Sequence, residues 1–340
     1  PTILERSEMA NTTYQFSTIT AAQAQTVDAT DTIIFSAGPA SAATVTYAPA
    51  TALVTDQIVI TYNGVTVSFA VGVALTAAAG NLVFPDSSQL FIGTFAAVND
   101  TFTLPSSNDA MFGGQGDDNL NAGNGTNTLQ GNQGNDTLTG GTGADSAYGG
   151  QDNDSLVLST GNNFGQGNKG NDTISAGSGS DTLLGGRDND SVSGGGGTDF
   201  LNGNLGNDTI TGGSGVDTIF GEDGDDVIDG AGGANVIDGG ADNDLISAST
   251  GSNNILGGSG TDTINISAST GTNTLDGGSG SDAITSGSSG ADSIFGGTGN
   301  DTVTSTAGGP DVVSGGTGND VITTGADGDT VNGDDERGHL

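Results

Sequence analysis

The sequence predicts an all-β protein in which a long stack of short strands, residues 105 to 333, follows a small, mostly antiparallel β domain, residues 1 to 104. Three observations lead to this prediction. An Asp or Asn recurs every nine residues from Asp109 to Asp262 and continues, with small insertions, to Asp329, which gives 25 copies. An aliphatic residue stands two positions later in 23 of the 25 copies, with Ala147 and Gly165 as the exceptions. Glycine dominates the residues before each Asp or Asn.

A nine-residue copy is too small to bury its own aliphatic side chain, so the copies must stack on one another. The Gly-rich part supplies turns, because glycine adopts positive φ and allows close approach of backbones. The part that reads D-x-U-x, where U is the aliphatic residue, predicts a short strand with U pointing inward and its neighbours outward. Those neighbours are often Thr, as at Thr137, Thr173 and Thr209, which suits a solvated sheet face.

The motif G-G-x-G-x-D-x-U-x describes copies such as Gly113-Gly114-Gln115-Gly116-Asp117-Asp118 and Gly315-Gly316-Thr317-Gly318-Asn319-Asp320. In this motif the sequence resembles the RTX (repeats-in-toxin) family of calcium-binding nonapeptide repeats over roughly its last two thirds. The resemblance implies a right-handed parallel β-roll with two copies per turn, about twelve turns in all and about 60 Å long. It also implies Ca²⁺ between successive turns, held by Asp carboxylates and by carbonyl oxygens of the Gly-rich loops.

The charge of the chain fits that expectation. The sequence has 41 Asp and Glu against 4 Lys and Arg, and 34 of the acids lie in the repeats. Stacking would place carboxylates about 5 Å apart along each edge, so the metal-free stack should repel itself. Calcium binding and folding should then be one event, which occurs outside the cell if the sites bind at roughly 10⁻⁴ to 10⁻³ M. A disordered acidic tail is the alternative, but it would not require an aliphatic residue at a fixed place.

With two copies per turn, alternate copies should stack along opposite edges, and the two edges differ. Edge 1 is expected to bind calcium through an unbroken series: Asp118, Asp136, Asp154, Asp172, Asp190, Asp208, Asp226, Asp244, Asp262, Asp282, Asp301 and Asp320. Edge 2 mixes the candidate ligands Asp109, Asp145, Asp181, Asp199, Asp217, Asp292, Asp311 and Asp329 with Asn127, Asn163, Asn235, Asn253 and Asn273. Because Asn offers a neutral oxygen, we expect one near-complete calcium column and one broken column. Edge 2 either faces a partner or is under relaxed selection.

Residues 1 to 104 contain less Gly and more Ala, Val, Thr and Phe, and are expected to cap the N-terminal end of the stack. Alternating apolar residues predict strands at 12–16, 31–35 and 44–47, and a short helical turn is conceivable at 20–25. Asn63-Gly64 predicts a hairpin between strands 57–62 and 65–69. A second hairpin is predicted between 81–84 and 89–92. Residues 334 to 340 form a polar tail.

Several classes of function are disfavoured. A formal net charge of -37 would repel nucleic acid, and Cys is absent, so disulfides and thiol chemistry are excluded. No cleavable signal peptide, membrane span or small-molecule substrate site is evident, and the export signal that usually follows RTX repeats is not evident either, which leaves the export route open. The segment Gly165-Gln166-Gly167-Asn168-Lys169-Gly170 fits the dinucleotide-binding motif G-x-G-x-x-G, but it lies in phase with the repeats, which disfavours dinucleotide binding. The sole histidine is His339, which is expected to lie in the polar tail rather than to act as a catalytic base.

The leading hypothesis is a non-enzymatic, calcium-dependent extracellular structural protein whose roll is part of a surface layer, a secreted fibre or a virion decoration. Its partner would be a copy of itself or another surface protein, contacted through residues 1 to 104 or through edge 2. The alternatives are a secreted adhesin or binding module, ice binding included, and the calcium-roll part of a secreted hydrolase. Too few outward Thr residues recur on edge 1 for ice binding, and residues 1 to 104 contain no His or Cys with which to build a hydrolase.

Overall fold

The structure is a computed structural model that describes residues 13–15, 32–34, 44–48, 57–62, 65–70, 82–83, 90–92, 99–104, 107–287, 289–306 and 308–333. Its contacts divide the chain into two compact units, Pro1–Leu158 and Ser159–Leu340. All the regular elements in these ranges are β-strands, as predicted. Among the described residues there is no helix long and apolar enough to cross a membrane.

Among the described residues at the start of the first unit are six short strands in two sheets. Strands β1 (Thr13–Gln15), β2 (Thr32–Ile34) and β6 (Leu82–Val83) pair in parallel. Strands β3 (Thr44–Ala48), β4 (Gln57–Tyr62) and β5 (Val65–Ala70) pair antiparallel. The three predicted single strands and the β4–β5 pairing are confirmed. Only one of these two sheets is antiparallel, so the prediction of a mostly antiparallel domain is wrong for the other.

The second predicted hairpin is also wrong. β6 pairs with β2, whereas β7 (Leu90–Ile92) pairs in parallel with β9 (Ala110–Gln115), so the two strands lie in different sheets. A local turn signal fixes where the chain can reverse, but strand pairing depends on which backbone edges are unpaired, and β9 offers one. The helical turn predicted at 20–25 and the tail 334–340 lie outside the described residues. The capping role and the boundary at residue 104 stay predictions.

The repeats of the first unit form two parallel sheets. One contains β8 (Thr101–Thr103), β10 (Asn119–Asn121), β12 (Thr137–Thr139) and β14 (Ser155–Val157). The other contains β7, β9, β11 (Thr128–Gln133) and β13 (Ser146–Gln151). Leu120 lies opposite Leu138, which is 18 residues further on, so one turn comprises two nonapeptides.

The second unit repeats this arrangement. Its even-strand sheet consists of β16 (Thr173–Ser175), β18 (Ser191–Gly197), β20 (Thr209–Gly215), β22 (Val227–Asp229), β24 (Leu245–Ser247), β26 (Thr263–Asn265), β28 (Ala283–Ser286), β30 (Thr302–Ser305) and β32 (Val321–Thr324). Its odd-strand sheet consists of β15 (Phe164–Lys169), β17 (Thr182–Arg187), β19 (Phe200–Leu205), β21 (Thr218–Asp223), β23 (Val236–Ala241), β25 (Asn254–Ser259), β27 (Thr274–Ser279), β29 (Ser293–Thr298), β31 (Val312–Thr317) and β33 (Thr330–Asn332).

Aliphatic side chains at position U form the core of both units. In β20, for example, Ile210 is buried between the more exposed Thr209 and Thr211. The inserted residues before Asn273 are absorbed in the edge 2 turn, because Ile255 still pairs with Leu275 although 20 residues separate them. The predicted inward and outward alternation is therefore confirmed, and the parallel solenoid agrees with the predicted β-roll.

We expect Ile210→Ala to lower the free energy of unfolding by about 2–4 kcal/mol, because it removes a fully buried side chain from a core one residue thick. Val227→Thr, at an exposed site on the neighbouring strand β22, should change it by no more than about 0.5 kcal/mol. Urea unfolding followed by circular dichroism in calcium measures both. Equal effects of the two substitutions would contradict a core at position U.

Candidate metal sites along two edges

The Asp and Asn residues that define the repeat are buried and joined in ladders along each edge. On edge 1 the backbone N–H of Asp190 donates a hydrogen bond of 2.7 Å to Oδ1 of Asp208, one turn later, and Asp208 does the same to Asp226. On edge 2 Asp217 donates to Oδ1 of Asn235 at 2.9 Å. Because Oδ1 of Asp and Oδ1 of Asn accept this bond equally, the ladder explains why both residues occur at the key position.

The second carboxylate oxygen of most edge 1 Asp residues differs, because it is buried and accepts no hydrogen bond. The Oδ2 atoms without a partner include those of Asp118, Asp136, Asp190, Asp208, Asp226, Asp244, Asp262, Asp282, Asp301 and Asp320, and on edge 2 those of Asp181, Asp199 and Asp217. An ionised oxygen buried without a partner is costly. Each such atom therefore requires a proton or a cation.

The residue five positions before each edge 1 Asp is glycine in every copy, from Gly113 to Gly315. A Cβ atom built on Gly203 would lie 2.2 Å from Oδ2 of Asp208 and 2.9 Å from the carbonyl oxygen of Gly221 in the next turn. A side chain there would thus collide with both oxygens. Glycine leaves room for a carboxylate oxygen and a carbonyl oxygen to converge on the same space.

Edge 2 lacks this regularity. Five positions before the edge 2 Asp or Asn, glycine occurs only at Gly140, Gly194, Gly212, Gly230 and Gly287. Larger residues stand there in the other copies, among them the buried Leu104, Ala122 and Ala248. The asymmetry expected from the Asn residues alone is therefore accompanied by a second difference between the edges, in the space beside the carboxylates.

The side-chain amides of edge 2 Asn residues donate hydrogen bonds to nearby backbone carbonyl oxygens. Nδ2 of Asn235 donates to the carbonyl oxygen of Gly230 at 2.8 Å, and Nδ2 of Asn273 donates to the carbonyl oxygen of Gly271 at 2.9 Å. The amide group thus occupies carbonyl oxygens that could otherwise bind a cation. These positions need no metal.

Two serines play a similar part near the C-terminal end of edge 2. The buried Ser286 donates its hydroxyl hydrogen to Oδ2 of Asp292, and Ser305 donates to Oδ2 of Asp311. Asp329, the last predicted ligand, is only partly buried and accepts from the N–H of Asp311 at 3.0 Å. A hydroxyl donor takes the place that a cation would fill, so we expect Asp292 and Asp311 to bind calcium weakly.

Burial raises the pKa of the edge 1 carboxyl groups. The pKa of Asp190 rises to about 8, chiefly through desolvation, and the carboxylates of Asp172 and Asp208 add to the rise. The same cause raises the pKa of Asp136, Asp226 and Asp244 to about 7, and that of Asp118 and Asp208 to about 6. By contrast, the pKa of the exposed Asp225 is lowered, because Asn243 donates to it from both backbone and side chain.

A second, exposed ladder on edge 1 was missed by sequence reasoning. It joins the residues that precede the key Asp: the N–H of Asn207 donates to Oδ1 of Asn189 at 2.9 Å, and Asn243 donates likewise to Asp225. These bonds point to the previous turn, whereas those of the inner ladder point to the next one. The signal in the sequence was an Asn or Asp before the key Asp in nine consecutive turns of edge 1, from Asn99 to Asn243.

The donors present fit calcium. In the part of the chain that the structure describes, no three acidic side chains converge on one point, so carboxylates alone would not complete a site. Most edge 1 turns, however, offer an Asp Oδ2 without a hydrogen-bond partner beside a glycine carbonyl oxygen, and calcium accepts both kinds of oxygen. On edge 1 the stacked Asp residues and the glycines such as Gly203 and Gly221 would hold the ions. When bound, calcium supplies the positive charge that the buried carboxylates lack.

The fold and these sites define a solenoid whose carboxylates are arranged for oxygen-liganded divalent cations. Comparison with protein families agrees: the profile of the RTX calcium-binding nonapeptide repeat (4 copies) matches residues 99–129, 121–156, 130–165, 157–192, 193–228, 229–264, 265–288, 286–309 and 305–340. The chain therefore belongs to the RTX calcium-binding repeat family. A search among curated proteins found no significant match.

Replacing Asp190 by Asn should remove one bound calcium ion, because the ladder bond to Oδ1 remains while the charge is lost and the amide can donate to Gly185, as Asn235 does to Gly230. Asp292→Asn is the matched control on edge 2, where Ser286 already serves Oδ2. Equilibrium dialysis with calcium counts the ions. Loss of an ion from the Asp292 variant but not from the Asp190 variant would contradict this assignment.

The raised pKa values predict opposite pH responses with and without metal. Carboxyl groups whose pKa is higher in the folded state bind more protons when folded, so the metal-free fold gains stability as the pH falls. In chelator, β-sheet content should decrease as the pH rises through about 6 to 8, the range of the edge 1 pKa values. Calcium affinity should instead fall as the pH decreases through that range, because protons compete for Oδ2.

Far-UV circular dichroism in chelator, and calcium titrations at a series of pH values, measure the two trends. A metal-free chain whose β-sheet content does not depend on pH would show that the buried carboxyl groups are not protonated in the folded state.

Proposed function

We propose that this protein is a non-enzymatic, calcium-dependent structural component that works outside the cell, where its solenoid forms part of a surface assembly. The observation that supports this most directly is the row of buried Asp Oδ2 atoms along edge 1, most of them without a hydrogen-bond partner and beside a glycine carbonyl oxygen, as at Asp190, Asp208 and Asp226. Such a row is of use only where cations or protons are supplied along it.

The location follows from the demand for calcium. Sites built from exposed loops in extracellular modules bind calcium at roughly 10⁻⁴ to 10⁻³ M, far above cytosolic concentrations. The metal-free chain carries a formal net charge of -37, so its stacked carboxylates oppose folding until calcium arrives. Folding would therefore be delayed until the chain reaches a calcium-rich medium.

The structural role is supported by the position of the ionisable groups whose pKa values are raised. Within the described residues the titratable groups with clearly raised pKa values are Asp residues, nearly all in the stacked ladders, where they serve turn stacking. A second copy of the chain, or another surface protein, would be the partner. The surface of a cell and the surface of a virus particle are both compatible with this role.

Millimolar calcium should convert the chain from a loose coil into a β-sheet protein and then into larger assemblies, because calcium removes the repulsion between turns and between copies. Circular dichroism and static light scattering of the full chain, first in chelator and then in calcium, follow the two steps. Magnesium at the same concentration is the control and should act weakly, since it prefers a small, regular octahedral site.

Two results would contradict the proposal in different ways. A chain that stays a coil in calcium would refute calcium-coupled folding. A chain that folds in calcium but scatters as a monomer at every concentration, and binds to no envelope or capsid preparation, would refute the structural role.

A further inference from the structure

The aromatic residues of the second unit lie on one surface only. Residues 159–340 contain four aromatic residues, Phe164, Phe200, Phe220 and Phe295, and no Tyr or Trp. All four lie in the odd-strand sheet at positions that alternate with the buried core residues, so they face outward. The core of this unit is aliphatic. Aromatic side chains that a protein keeps out of its core and gathers on one face are typical of an interface.

These residues belong to a regular zigzag. Eight of the ten strands of the odd-strand sheet, all except β27 and β33, carry a large apolar side chain directly before or directly after U. The apolar zigzag comprises Phe164, Leu184, Phe200, Phe220, Val236, Leu256, Phe295 and Val312. Phe200 and Phe220 lie diagonally on adjacent strands, with ring centroids 5.7 Å apart. Five of the eight are more than a third exposed: Phe200, Val236, Leu256, Phe295 and Val312.

Strand propensity does not explain the zigzag. The even-strand sheet has the same stacking and register, yet its outward positions are mostly Thr and Ser, such as Thr173, Ser191, Thr209 and Thr211. Thr satisfies the preference for β-branched residues without exposing large apolar groups. On the even-strand face large apolar residues are exposed at a few positions, such as Val227 and Leu245, whereas most strands of the odd-strand face carry one. Strand propensity alone does not explain this difference.

The size of this face suits a protein partner. The five strands β15 to β23, on which the zigzag is unbroken, lie about 4.8 Å apart and are about six residues long at about 3.3 Å per residue, so they present roughly 450 Å². Two such faces together bury roughly 900 Å², which is the size of a weak, reversible contact. Two sheets can pack face to face with interdigitating side chains at about 10 Å. The polar residues beside each zigzag member, such as Thr182, Asn202 and Thr218, leave gaps into which the large side chains of an identical face fit.

The charges on the face identify the partner and its orientation. Lys169 and Arg187 end the adjacent strands β15 and β17 and are exposed, and neither forms an ion pair within the described part of the chain. The acids of the same face, Glu222, Asp223, Asp238 and Asp276, all lie on later strands. A copy with its strand order reversed, and offset so that β15 faces β23 and β17 faces β21, would place the strands that end in Lys169 and Arg187 opposite the strands that carry Asp238 and Asp223. A copy in the same order would oppose like charges.

We propose that a second copy of this chain packs on the apolar zigzag of the odd-strand sheet, face to face and with reversed strand order, in the calcium-loaded protein. The inference rests on the proposed function, since calcium must first neutralise the edges, and it names the surface and the partner. Neither residues 1 to 104 nor edge 2 is then needed for this contact.

The test is sedimentation equilibrium of the full chain in calcium. The double variant Phe200→Thr, Phe220→Thr replaces both rings by Thr, a β-branched residue that favours strands. It should weaken dimerisation by at least about tenfold, with unchanged circular dichroism. Val227→Thr with Leu245→Thr, two exposed apolar residues on the even-strand sheet, is the matched control and should leave dimerisation unchanged.

Charge exchange tests the orientation. Lys169→Glu with Arg187→Glu should weaken dimerisation several-fold, and adding Asp223→Lys with Asp238→Lys to the same chain should restore it. Failure of the fourfold variant to recover any affinity would overturn the reversed order.

The remaining outcomes separate this inference from the proposed function. A wild-type chain that assembles in calcium while the Phe200, Phe220 variant assembles equally well would overturn the zigzag interface and leave the structural role standing. A wild-type chain that folds in calcium but remains monomeric would overturn this inference, and it would overturn the structural role as well only if it also bound to no envelope or capsid preparation. Dimers that form only with an added basic protein would replace the second copy by that partner.

Discussion

The hydrogen bond from a backbone N–H to the Oδ1 atom one turn later is the interaction on which the repeats depend. It lies inside each edge, where water does not compete, and it recurs in both units from Asp118 to Asp320. The bond fixes the carboxylate so that Oδ2 points toward the glycine five residues earlier. The two edges then differ in which group, an ion or a hydrogen-bond donor, can interact with that second oxygen or replace it.

Three solutions occur in this one chain. On edge 1 the glycine leaves a space that an ion can share with a carbonyl oxygen. At the Asn positions of edge 2 the amide donates to the carbonyl oxygen itself, as at Asn235. At Asp292 and Asp311 a serine hydroxyl donates to Oδ2. The last two solutions use neutral amide or hydroxyl donors, so edge 2 would stack without metal at these turns, and edge 1 would concentrate the need for calcium.

The two sheet faces of the second unit also divide their tasks. A core formed by one aliphatic residue per strand is thin, so packing alone stabilises the stack weakly, and backbone ladders and ions must contribute. The even-strand face is mostly Thr and Ser and suits solvent. The odd-strand face displays the apolar zigzag and separated charges, which suits a contact between molecules. Calcium, stacking and association would then be linked, because repulsion between acidic copies falls only when the edges are loaded.

The nine-residue period determined much of the protein by itself. It predicted stacked copies and the inward position U, because one side chain repeated at a fixed spacing has few ways to be buried. The resemblance to the RTX motif added the parallel roll with its two edges and calcium as the expected cation. The first strands and the β4–β5 hairpin were also predicted, since alternation and Asn-Gly are local signals. Only the tertiary structure showed that β7 pairs with β9, because the choice of an unpaired strand edge is not local. It alone also showed the role of the glycine beside Oδ2, the serine donors and the diagonal contact of Phe200 with Phe220, since residues about 20 positions apart become neighbours only when the turns stack.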